Sequence, residues 1–145
     1  MELKRLALGE LQTNCYILTN TETGEIAVVD PSADVSRILR ELGGGKDKVK
    51  YIILTHTHID HVMALDELKS ETDAKIVVHK EEADFLSDPK FTLSALFAAQ
   101  SPQSKTDIAV SDGDELALGS EKLKFIHTPG QTIGGMCILC GDILI

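Results

Sequence analysis

Tryptophan is absent from this 145-residue chain, and aromatic residues together make up only 4% of it. Its core must therefore be built from aliphatic side chains. Cysteine is scarce as well: Cys15, Cys137 and Cys140 are the whole supply. An odd count, behind an N-terminal M-E-L-K-R-L-A-L-G-E too short and interrupted to read as a secretory leader, argues against a disulfide framework and for a cytoplasmic setting. Cys137 and Cys140 form a C-x-x-C, but a structural zinc site needs a second pair, which is missing. On a strand, side chains three apart face opposite sides, and both are expected as buried apolar residues. Positive charge is the minority, with 14 Lys and Arg against 23 Asp and Glu and a net charge of -9. That balance argues against a nucleic-acid partner, which requires a basic surface, and no run of Lys and Arg suggests a local one. Lys46, Lys48 and Lys50 read as a solvated loop. No apolar run approaches the roughly 20 residues that cross a bilayer, so no membrane partner is expected.

What remains is an ordinary globular composition, 43% hydrophobic and 26% charged, long enough for one domain spanning residues 1–145. Residues 2–8, 14–19 and 25–30 read as an antiparallel meander of strands with T-E-T-G-E as a turn. Val35, Ile38, Leu39 and Leu42 share one helical face, with Ser32 as N-cap and Gly43–Gly45 as the stop. V-K-Y-I-I-L-T at 49–55 and K-I-V-V-H at 75–79 are continuous apolar runs, suited to strands buried on both faces. The stretch 62–68 reads as a helix with Met63, Leu65 and Leu68 in the core, and Glu81–Leu86 as a helix start. Residues 87–106 lack periodicity and are expected as an insertion or mobile cover, with F-T-L-S-A-L-F-A-A-Q a candidate helix. Strands are expected at 107–110, 114–118 and 122–126. The pattern alone predicts α/β or α+β, with helices outside two sheets.

The exception to this plainness is T-H-T-H-I-D-H at 55–61, which holds three of the chain's five histidines. If the strand at 49–55 stays extended, His56 and His58 project together from its end, where α/β proteins place their sites. Asp60 and His61 open the next helix and face the same space from another direction. Imidazoles with a carboxylate suit divalent transition metals, and two such groups could serve two neighbouring ions.

The same residues carry a resemblance. T-H-T-H-I-D-H matches H-x-H-x-D-H, the signature of the metallo-β-lactamase superfamily. F-I-H-T-P-G-Q-T at 125–132 resembles the H-T-P-G-H-T segment of its glyoxalase II-like (hydroxyacylglutathione hydrolase-like) branch. T-N-C-Y-I-L at 13–18 and V-V-D-P-S at 28–32 look like that branch's first strands. The resemblance implies an α+β fold, an αββα sandwich with metals at one edge. It implies His56, His58 and His127 as ligands of a first metal, and Asp60 and His61 as ligands of a second. Asp60 is then also the candidate catalytic residue. Zinc is the first choice of ion, with iron or manganese as alternatives. The implied activity is hydrolysis of a small-molecule thioester or ester, such as an acylglutathione, by a metal-held hydroxide.

Departures from that pattern shape the remaining expectations. Gln131 replaces a histidine that is not a usual ligand, Met63-Ala64 replaces a glycine pair, and His79 is expected in a structural role. The family's bridging aspartate and late histidine have no evident counterpart, because Asp142 in C-G-D-I-L-I reads as a turn residue away from the metals. The chain is therefore expected to be a sandwich incomplete at its C-terminus. Two alternatives follow: a metal-binding fragment without turnover, able to oligomerise through an exposed edge, and a single-iron sulfur dioxygenase of the same fold.

Overall fold

The computed structural model describes all 145 residues. Strands β1 (Glu2–Leu8) and β2 (Thr13–Thr19) pair antiparallel, and β3 (Ile26–Val29) adds antiparallel to β2. From β3 the sheet turns parallel. β4 (Val49–Ile53), β5 (Lys75–His79) and β6 (Ile108–Val110) complete the six-strand order β1-β2-β3-β4-β5-β6. A second, antiparallel sheet has the order β10-β9-β8-β7, built from β7 (Glu115–Leu118), β8 (Glu121–His127), β9 (Met136–Cys140) and β10 (Ile143–Leu144).

Two cores follow from side-chain alternation along the central strands. Val28, Ile52, Ile76 and Val78 face α1 (Val35–Leu42), α2 (Ile59–Val62) and α3 (Leu65–Thr72). Ala27, Val29, Tyr51, Ile53 and Val77 face the other way, onto Leu118, Leu123, Phe125 and Ile138 of the second sheet. Where these strands are covered on both faces they are apolar at successive positions, Tyr51–Ile53 and Ile76–Val78, while Lys50 and Lys75 stay exposed. The architecture is α+β, in layers of helix, sheet and sheet. No helix covers the outer face of the second sheet, so the expected αββα order is seen here as αββ. No helix is long and apolar enough to cross a membrane.

Several local expectations are corrected. The N-cap of α1 is Asp34, whose side chain accepts from the Arg37 amide. Ser32 instead donates its hydroxyl to the Thr13 carbonyl. Replacing Asp34 by Ala is expected to cost about 1 kcal/mol in chemical denaturation, because the cap is lost and Asp34 sits at φ 50, where alanine is disfavoured. An unchanged midpoint would remove Asp34 from the cap.

The helix expected over 62–68 is broken at Ala64, whose amide donates to the Pro31 carbonyl. Leu65 and Leu68 are buried, but the break turns Met63 outward to 52% exposure. Residues 81–86 and 91–100 form turns, not helices. Polar contacts hold them: Thr92, Ser94 and Ser101 share a buried hydroxyl cluster, and the Thr92 carbonyl accepts from the Ile59 amide at the start of α2. Asp66 accepts from Gln103 and Ser104. The segment expected as a mobile cover is thus tied to the body of the fold. Cys140 is buried between the sheets, but Cys137 faces the opposite side and is only half-buried.

Candidate metal centre

The parallel pairing of β3 with β4 brings two strand ends together, and the site is assembled there. Asp30 follows β3 and is 3% exposed. Its carboxylate accepts from the Thr55 amide at 2.8 Å and the Thr55 hydroxyl at 2.6 Å. It also lies 2.8 Å from Nδ1 of His61. His56, next along the chain, is nearly buried, and its Nε2 has no hydrogen-bond partner. Its ring centroid lies 3.9 Å from that of His61 and 5.0 Å from that of His58. His61 and Asp60 come from α2, and Asp60 is oriented by the Thr13 hydroxyl at 3.1 Å. His58 Nδ1 lies 3.5 Å from the Gln131 amide. A cavity of about 510 Å³ opens over the group, lined by Tyr16, Asp30, His56, His61, Gln131 and Cys137 among others.

A metal can be tested against these side chains. An imidazole nitrogen buried without a partner is costly unless something binds it. Asp30 takes the Nδ1–H of His61 and so leaves Nε2 with its lone pair free, the carboxylate–histidine arrangement that orients metal ligands. That Nε2 lies 3.5 Å from Asp60 Oδ2. Two ligands on a tetrahedral ion with bonds of about 2.0–2.1 Å sit roughly 3.3–3.4 Å apart, so the pair is close to ligand spacing. Asp60 and His61 therefore stand near the spacing of paired ligands on one ion, with the rings of His56 and His58 beside them.

His127 does not join them in this structure. It ends β8, its ring stacks on His79 with centroids 4.0 Å apart, and its Nε2–H donates to the Ile133 carbonyl at 2.8 Å. As the side chains stand, no three His, Cys, Asp or Glu residues form a closed ligand set. His79 is buried, with Nδ1 accepting from the Glu81 amide. Asp142 sits with Gly141 in the turn between β9 and β10.

Burial, and then the charge of His61, push His56 down from its ordinary 6.5 to about 4. Burial also acts to lower His61, but the hydrogen bond and charge of Asp30 outweigh it and raise the value overall. An unfolded His56 takes up a proton near pH 6.5, and the folded one only near 4. The metal-free protein should therefore lose stability on acidification through that window. His61 contributes oppositely, with stability present below 6.5 and lost as pH rises through its raised value. Denaturation midpoints of wild type and His56→Ala check this, and the wild type should be the more acid-sensitive.

Two residues at the site escaped the sequence reading. Asp30 carried a signal, an acidic residue ending a buried apolar strand, yet nothing local tied it to His61. Glu82, fully buried near Thr57 and Thr132, had no signal at all.

The sequence profile of the metallo-beta-lactamase superfamily matches residues 8–142. An uncharacterized protein of Aquifex aeolicus (strain VF5) is 30% identical over 153 residues, which cover 99% of this chain and 71% of its own. The probable polyketide biosynthesis zinc-dependent hydrolase PksB of Bacillus subtilis (strain 168) is 31% identical over 128 residues, 88% of this chain. The chain spans about half of PksB, 51% of its length. Among solved structures, the BLEG-1 B3 metallo-beta-lactamase is similar with a TM-score of 0.86 at 26% identity, covering 96% of this chain and 67% of that one.

Proposed function

The chain belongs to the metallo-beta-lactamase superfamily, and on that premise we propose that it carries the metal centre of a hydrolase for small thioesters or esters. The observation that carries this reading is the buried, unpartnered Nε2 of His56 beside His61 and His58. His56, His58, Asp60 and His61 would hold the ion or ions. His127 would complete a two-ion set on giving up its bond to Ile133. Zinc is the ion we favour, in keeping with the similarity to the probable zinc-dependent hydrolase PksB. Such ions, when bound, acidify a coordinated water and polarise a carbonyl oxygen.

The chain's own residues would do the rest. Asp30 fixes the His61 ring and Thr13 fixes Asp60, so neither has to reorganise during reaction. Asp60 would accept a proton from the attacking water. Asp60 and Thr13 also line a second cavity of about 440 Å³, together with Leu8, Leu11, Ile59, Met63 and Phe97 among others. Its apolar walls would suit the acyl group of such a substrate.

The test is hydrolysis of a series of acyl thioesters and oxoesters by the zinc-loaded chain. The expected result is turnover that a chelator abolishes and zinc restores. A chain that retains zinc yet cleaves neither class would overturn the hydrolase reading and leave metal retention without turnover.

A further inference from the structure

A carboxyl group with no exposure lies between the two histidine-bearing loops, and no step above uses it. Glu82 follows β5, with its amide donating to the His79 carbonyl and its own carbonyl accepting from Phe85. Its side chain faces the hydroxyls of Thr57 and Thr132 and the amide of Gly134. Thr57 stands between His56 and His58, while Thr132 and Gly134 belong to the loop that follows His127. The contact with that loop is tight: a Cβ on Gly134 would come within 2.4 Å of Glu82 Cγ, so only glycine fits there. Neither Glu82 oxygen, nor Oγ1 of Thr57 or Thr132, has a hydrogen-bond partner of ordinary geometry. Buried polar atoms are seldom left so, and four in one place make a network that small shifts of the two loops would close. Burial raises the Glu82 carboxyl, and Thr132, Gly134, His58 and Thr57 pull the other way.

Packing alone does not account for this residue. A leucine or methionine would fill the space without the cost of burying a carboxyl. What a carboxyl adds is the ability to bond the two loops at once.

We propose that Glu82 is a latch, a positioning residue that holds the His56–His58 loop in register with the Thr128–Gly135 loop and so sets the spacing of the metal-holding histidines. The latch rests on the reading of the metal centre given above. It acts through Thr57 and Thr132 and does not touch the ion.

Two measurements on the whole chain test it: zinc affinity by competition with a chromophoric chelator, and hydrogen exchange of the metal-free protein followed by peptide. Glu82→Ala should weaken zinc binding about tenfold or more, the usual worth of an outer-sphere partner. It should also speed exchange in the peptides covering 55–61 and 127–136 together, with β1 and β7 unchanged. Glu82→Gln, which keeps the size and can both donate and accept, should restore most of both. Thr132→Val, of nearly unchanged volume, should loosen the same two peptides and serves if Glu82→Ala does not fold. Unchanged exchange in the two loops, faster exchange across the whole fold, or a Glu82→Gln as damaging as Glu82→Ala would each overturn the latch. If the wild type binds no zinc, the metal-centre reading fails, and loop exchange alone decides the latch.

Discussion

His56→Ala is expected to lower zinc affinity by more than the roughly 10–100-fold that an outer-sphere partner is worth. The reason is what His56 lacks. Its Nε2 is buried and has no partner within the protein, whereas Nδ1 meets the Thr55 hydroxyl and the ring lies against those of His58 and His61. Removing the ring takes away a donor that no neighbour can replace. The same change should be mild for the metal-free fold, because it also removes an unsatisfied buried nitrogen, which offsets part of the cavity it leaves. A chelator competition titration, set beside denaturation of the metal-free variant, separates the two effects. Wild-type affinity in His56→Ala would contradict the assignment.

Asp30→Ala is expected to damage both the fold and the centre. Asp30 satisfies three donors at once, the Thr55 amide, the Thr55 hydroxyl and His61 Nδ1. Alanine leaves all three without an acceptor in a nearly dry place, a loss of about 3–5 kcal/mol in urea denaturation. It also frees the His61 ring to turn, which should cost about 10–100-fold in zinc affinity. Asp30→Asn keeps one acceptor oxygen and should fall between. A stable Asp30→Ala protein with wild-type affinity would show that the strand-end aspartate orients nothing.

The parts of this molecule that could be read from its sequence are those where one physical demand acts alone. β4 and β5 must be apolar on both faces, and their runs say so. The helix at 35–42 shows its stripe and its glycine stop, although its cap is Asp34 and not Ser32. Residues 81–86 and 91–100 misled for the opposite reason. Their composition permits a helix, but in 91–100 the buried hydroxyls of Thr92 and Ser94 bond each other and Ser101 instead, and the carboxyl of Glu82 is buried against residues far along the chain.

The site divides in the same way. His56, His58, Asp60 and His61 are contiguous, so strand and helix geometry alone gathers them. Asp30 arrives only through the parallel register of β3 on β4, and Glu82 only through the meeting of two distant loops. His127 could be named as a candidate from its motif. Its ring direction is set by Ile133 and His79, contacts that no local pattern in the chain announces.

The central claim is that imidazole and carboxylate groups of the 56–61 stretch hold a divalent ion. X-ray absorption at the zinc edge of the loaded protein tests it most directly. The account predicts a first shell of nitrogen and oxygen at about 2.0–2.1 Å, with the outer scattering of imidazole rings. A sulfur shell at about 2.3 Å, which would point to Cys137, or a protein that retains no zinc, would contradict it.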